Sequence, residues 1–276
     1  MCTICRRAFF PSTVAVLAYP SGGGGTQRFE SIPVPTPFCA APDFQARMGE
    51  IRIYGSRQDV HAARSFVLDG REIALRQGSG DPSLDQNLAE AFLDILRRLD
   101  FGSGEVPAVY FMDDRNNPNA LAVPAPVRPG SNGMVVLGDT LLRQMLRIGG
   151  SAVRALLAHE VSHLYQFKNR ISAQAGDRVT AGRRLELQAD YVAGWDLSLF
   201  LAATPRGASH ARNAANAMIS IASPSGAPAD QATHGTQNQR FRAFMEGWID
   251  GASGSVTKSR DAFSKGLEVA WNADRR

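Results

Sequence analysis

Within the segment Ser151–Phe167, His159 and His163 stand four residues apart, and Glu160 directly follows the first. Residues four apart share one face of a helix, so both imidazoles can reach a single ion from the same side. Zinc takes neutral imidazole nitrogen at about 2.0–2.1 Å, and a catalytic zinc keeps three protein ligands and one open position for water. Glu160 then lies beside that water, where a general base is needed. The pattern is H-E-x-x-H, and the chemistry it points to is hydrolysis by a metal-activated water.

An amphipathic helix could carry these residues by accident. With five His and nine Glu in 276 residues, random order produces the pattern in roughly 0.3% of such chains. Context argues further against accident: Val153, Leu156, Leu157, Val161 and Leu164 recur at helical spacing, which puts the motif on a partly buried helix.

Two histidines do not complete a site. Glu186 and Asp190, again four apart, follow in Arg183–Trp195, among apolar residues at helical spacing (Leu185, Ala189, Val192, Ala193). Glu186 can supply the carboxylate oxygen that closes a His2Glu set. Asp190, one turn on, can accept the free N–H of a ligating imidazole and so fix its tautomer and orientation. By itself E-x-x-x-D reads as an ordinary solvated face; it gains meaning from following H-E-x-x-H.

Glu186-Leu-Gln-Ala-Asp190-Tyr-Val-Ala-Gly194 after His159-Glu-Val-Ser-His163 resembles the gluzincin zinc metallopeptidases. The likeness extends to bacterial neutral zinc metallopeptidases and the catalytic region of HtpX-type peptidases. His234-Gly-Thr-Gln-Asn238-Gln-Arg240 is similar to their third motif, and Pro118–Ala122 and Gly133–Gly138 resemble segments upstream of the helix. Asn238 stands where the family's glutamate is expected. The resemblance spans roughly residues 106–250 and implies one Zn2+ per chain held by His159, His163 and Glu186. It implies a metalloendopeptidase with Glu160 as general base and His234 as a catalytic donor to the oxyanion, with Arg240 and Tyr165 as further donor candidates. It also implies a zincin-like domain with a small sheet and an active-site helix pair. A peptide or protein substrate would add to an exposed sheet edge, with 119–123 or 134–138 as the strand. A zinc amidase acting on a non-protein amide, and a non-catalytic metal- or partner-binding module on a peptidase scaffold, stay open as alternatives. A binding module, however, has no need of Glu160.

Composition narrows the classes. Hydrophobic content of 44% and charge of 20% are those of a soluble globular protein. The net charge of +4 is dispersed, without the basic runs or aromatic interleaving of a nucleic-acid face. No apolar run reaches the length of a membrane span in the catalytic region. The three cysteines, Cys2, Cys5 and Cys39, lie in the first 47 residues, where a lone C-x-x-C is a weak signal. That tail has a basic start, a short apolar stretch and a Gly- and Pro-rich linker. It reads as a poor export signal or a dispensable extension, which leaves the compartment open with a lean to the cell envelope or secretion. The domain proper is expected over 48–276.

The elements that must position the site follow from local pattern. Strands are expected at Ile51–Tyr54, Val106–Met112, Ala120–Val123 and Met134–Leu137, and helices at Leu84–Leu99 behind an Asp81-Pro82 start and from Asp139 or Thr140 to Leu146. Gly149-Gly150 should break the chain before the H-E-x-x-H helix. After Gly207 the composition suggests a loop with one short helix, then a Thr236…Gln239 capping box and a terminal docking helix bearing Phe263, Leu267 and Trp271. Strands ahead of a metal-binding helix pair make an α+β pattern.

Overall fold

Asp81 begins the first long helix as its type suggests: its carboxylate accepts from the backbone N–H groups of Ser83 and Leu84. Pro82 takes the first position, where no N–H is missed. This is α1 (Pro82–Arg98), which buries Leu88, Phe92, Ile95 and Leu96. The computed structural model describes residues 13–14, 32–33, 65–68, 71–102, 106–115, 118–124, 133–175, 178–201, 204, 206–222 and 234–273. The expected strand Ile51–Tyr54, the three cysteines and nearly all of the 1–47 tail lie outside the described residues. Ahead of α1, Thr13–Val14 pairs antiparallel with Ile32–Pro33, and β1 (Ser65–Leu68) pairs antiparallel with β2 (Arg71–Ala74).

A three-stranded sheet follows. β3 (Ala108–Met112) runs parallel to β5 (Met134–Gly138), and β4 (Ala120–Val123) lies antiparallel on the far side of β5. All five residues of β3 and of β5 are buried, because both faces of the sheet are covered. Val109, Phe111, Val135 and Leu137 join the main helical core, while Ala108, Tyr110, Met112, Met134 and Val136 form a smaller cluster with Leu75, Leu121 and Val123. Since β5 is paired on both sides, 134–138 has no free edge. Of the two strands expected to receive a substrate, only 120–123 is an edge.

α2 (Asp139–Ile148) starts differently from expectation. Its N-cap is Gly138, which has no side chain to offer. The carboxylate of Asp114, in the turn after β3, instead accepts from Thr140 N and Leu141 N, and also from Asn119 N. One buried side chain thus ties the β3–β4 turn to the start of α2. Gly149 alone separates α2 from α3 (Gly150–Lys168), whose apolar and polar residues are buried nearly all round, as suits a helix at the centre of a core. A 3-10 turn (Ile171–Gln174) leads to α4 (Arg178–Leu201). The stretch after Gly207, expected as a loop with one short helix, is a 16-residue helix, α5 (Gly207–Ala222). Its alanines Ala211, Ala214 and Ala215 are buried; small residues let it lie close on α3.

Thr236 and Gln239 form the expected capping box at the head of α6 (Gln237–Ala252), and α7 (Ser259–Ala273) closes the domain. α4 and α6 cross in near backbone contact. A Cβ on Gly194 would overlap the carbonyl of Phe244, and one on Gly247 the carbonyl of Tyr191, so glycine at both positions is required by the approach itself. α3 and α4 are antiparallel and joined by polar links at successive levels. At one end Arg154 donates to both oxygens of Asp196 (2.7 and 2.9 Å) and to Asp94 of α1 (2.8 Å). That link sets the axial register of the pair, and hence which α4 residues face His159. Among the described residues no helix is long and apolar enough to cross a membrane.

Candidate metal centre

His159 and His163 project from the same side of α3 toward one turn of α4. Their Nε2 atoms are 3.1 Å apart. Glu186 faces them, with Oε2 3.3 Å from His159 Nε2 and Oε1 3.4 Å from His163 Nε2. An ion with tetrahedral bonds of about 2.0–2.1 Å holds its ligand atoms about 3.3–3.4 Å apart. Each imidazole Nε2 therefore stands close to that spacing from the other and from one Glu186 oxygen, and among the described residues this is the group able to hold one.

The charges agree with that geometry. Burial opposes a proton on His159, but the carboxylates of Asp190 and Glu186 outweigh it and hold its pKa up at about 10. His163 is raised for the same reason, against burial and by Glu186. Glu186, despite burial, is held well below the usual carboxylate range, chiefly by His163 and His159. The carboxylates thus favour positive charge at the point where the donor atoms converge, and a divalent cation supplies it. Glu160 is 6% exposed, and burial pushes its carboxyl up, with His159 and His163 pulling the other way.

The far nitrogen of His159 is backed by a charged pair. Nδ1 lies 3.0 Å from Asp190 Oδ1, a close contact that falls short of hydrogen-bond alignment. Asp190 is in turn gripped by Arg240 of α6, with Nε to Oδ2 at 2.7 Å and Nη2 to Oδ1 at 2.8 Å. Burial works against the Asp190 charge, and Arg240 more than offsets it. Arg240 is 1% exposed and its Nη2 is 4.0 Å from Glu186. With a divalent cation present, Arg240 would bring the carboxylates Glu160, Glu186 and Asp190 to net neutrality, which lessens the cost of burying them.

The residues expected at the site come together unevenly. His159, His163 and Glu186 converge on one point, Asp190 stands behind His159 at its Nδ1, and Glu160 is buried on the same helix as the histidines. Arg240, expected as a possible oxyanion donor, spends two donors on Asp190. The half-buried Tyr165 stacks its ring on Phe263, with centroids 4.0 Å apart. His234 is half-buried, and the adjoining Gly235 lies against Leu187 and Arg183, which flank Glu186 on α4. Gln166 and Gln188 are not among the site residues expected from the sequence, although Gln166 is three residues after His163 and so on its face, and Gln188 lies between Glu186 and Asp190. Gln166 Oε1 is 2.8 Å from His163 Nδ1.

An α+β domain with a small sheet and a His-His-Glu group between two antiparallel helices is consistent with a metallopeptidase domain. Residues 82–181 match the model of peptidase family M48, and the match supports metallopeptidase activity. The matched span includes His159, Glu160 and His163 and stops before Glu186, Asp190 and Arg240. No curated protein and no solved structure matches the chain.

Proposed function

We propose that this chain is a zinc-dependent metalloendopeptidase in which His159, His163 and Glu186 hold one Zn2+. The observation that carries this reading is the convergence of the two imidazole Nε2 atoms, 3.1 Å apart, on the Glu186 carboxylate, each within 3.3–3.4 Å of one of its oxygens, together with the family match over the H-E-x-x-H helix. When bound, zinc polarises the scissile carbonyl and lowers the pKa of water toward about 7.

The protein's own residues do the rest. Glu160 accepts the proton of the attacking water and delivers it to the leaving amine. Its buried setting raises its affinity for that proton. Asp190 orients His159 and is itself oriented by Arg240. His234 is proposed as the donor that meets the tetrahedral oxyanion, supported by its position just ahead of a capped helix and beside the Glu186 turn. β4 offers main-chain groups on its unpaired side, and an extended peptide aligned there would run along the sheet above the helix pair.

Metal analysis of the purified chain beside Glu186→Ala tests the ligand set. About one zinc in the first, lost in the second, is the expected result; a chain that stays empty after zinc is added back overturns it. A peptide panel then separates an endopeptidase from an amidase, which would ignore internal peptide bonds.

A further inference from the structure

The terminal helix α7 looks like a docking element, yet a chain of polar contacts leads from it to His163. Phe263 O accepts from Gln188 Nε2 at 2.7 Å. Gln188 Oε1 accepts from Gln166 Nε2 at 2.9 Å, and that same nitrogen donates to Leu185 O at 2.8 Å. Both glutamines are 1% exposed, so no water competes for these groups. A backbone carbonyl can only accept. Phe263 O therefore requires the nitrogen of Gln188 to face it, which turns the Gln188 oxygen toward Gln166. Leu185 O and that oxygen together require the nitrogen of Gln166, and its oxygen is left facing His163 Nδ1.

We propose that Gln166 and Gln188 act as a relay by which α7 fixes His163 in its Nδ1–H tautomer, with the Nε2 lone pair presented to the metal. This rests on the zinc-site reading above and adds to it two positioning residues and a role for a helix outside the family-matched span. A chain of neutral amides that ends on acceptor-only backbone carbonyls has one allowed direction, so the tautomer is set without adding a charge to the site. The helix is held where the relay needs it: a Cβ on Gly266 would come 3.2 Å from Gln188 Cγ, and the ring of Phe263 is stacked on Tyr165.

The test is a double-mutant cycle of Gln166→Met and Gln188→Met, which keep length and remove hydrogen bonding. Zinc affinity is read by chelator competition, and exchange of the His163 Nδ1–H by NMR on chain labelled with 15N-histidine. Gln166→Met should weaken zinc binding roughly 10–100-fold and Gln188→Met roughly tenfold, each with faster Nδ1–H exchange. The double variant should bind zinc no more weakly than Gln166→Met alone, because a relay has nothing left to lose once its last member is gone. Additive losses overturn the relay, as does a Gln188→Met chain with unchanged affinity and exchange, and both leave the zinc site standing. A chain that binds no zinc, yet whose protected Nδ1–H is lost in Gln188→Met, keeps the relay and overturns the zinc reading. Should Gln188→Met not fold, Gln188→Asn serves, being one methylene too short to span both partners.

Discussion

His159 and His163 stand one turn apart on the same helix, yet their outer nitrogens are supported by opposite kinds of chemistry. Behind His159 is a buried ion pair, Asp190 with Arg240. Behind His163 is a neutral relay of two amides ending on a backbone carbonyl. A carboxylate behind each histidine would leave the site with more buried negative charge than one divalent cation and one arginine can offset. The difference amounts to a division of labour, in which the charged support balances the site and orients its ring, and the neutral one orients alone.

The sharpest way to separate the supports from the chemistry is to leave both in place. Glu160→Gln should retain zinc while turnover falls by about 10²–10⁴-fold, the usual contribution of a general base; metal content and peptide hydrolysis measured side by side check this. Full activity in that variant would remove Glu160 from the mechanism.

Breaking the charged support comes next. Asp190→Ala strands Arg240 as a buried charge and should lower stability by about 3–5 kcal/mol, with zinc affinity down by about 10–100-fold. Denaturant unfolding and chelator competition read the two effects. Asp190→Leu combined with Arg240→Met should restore most of the stability without restoring zinc affinity, which would place the value of the pair in the metal site rather than in the fold. Breaking the neutral support should cost less: Gln166→Met is expected to lower stability by about 1–3 kcal/mol through its unsatisfied partners.

A third polar link provides a charged control away from the donors. Burial raises the carboxyl of Asp94, but Arg154 and Arg98 pull it below its ordinary value of 3.8. A depressed folded pKa contributes stability above the unfolded value, and that contribution is lost as pH falls through the lower folded value. Asp94→Asn should therefore destabilise by under about 1 kcal/mol at neutral pH, by less below about pH 4, and leave zinc affinity unchanged. Unfolding curves at both pH values check the sign.

Much of the scaffold is legible in the sequence because its signals are local. Asp81-Pro82, the Thr236–Gln239 box and the short apolar runs of β3 and β5 each act within a few residues. Where expectation fails, distance is the cause. The start of α2 is capped by Asp114, 26 residues away from Thr140, and no pattern near Asp139 could announce it. The stretch after Gly207 reads as loop by composition, but its alanines form α5 because burial against neighbouring helices overrides weak local preference.

The same boundary runs through the site. Four-residue spacing on a helix pairs His159 with His163, and Glu186 with Asp190, from the sequence alone, since 3.6 residues per turn allows little else. Periodicity tells which face a residue occupies and leaves open which other face it will meet. Arg240 reaches Asp190 across 50 residues and Phe263 reaches Gln188 across 75, and both contacts exist only because α6 and α7 pack on α4 through glycines. The spacing of the donors along each helix is written in the chain; the meeting of the two helices and the supports that aim the donors are decided by packing.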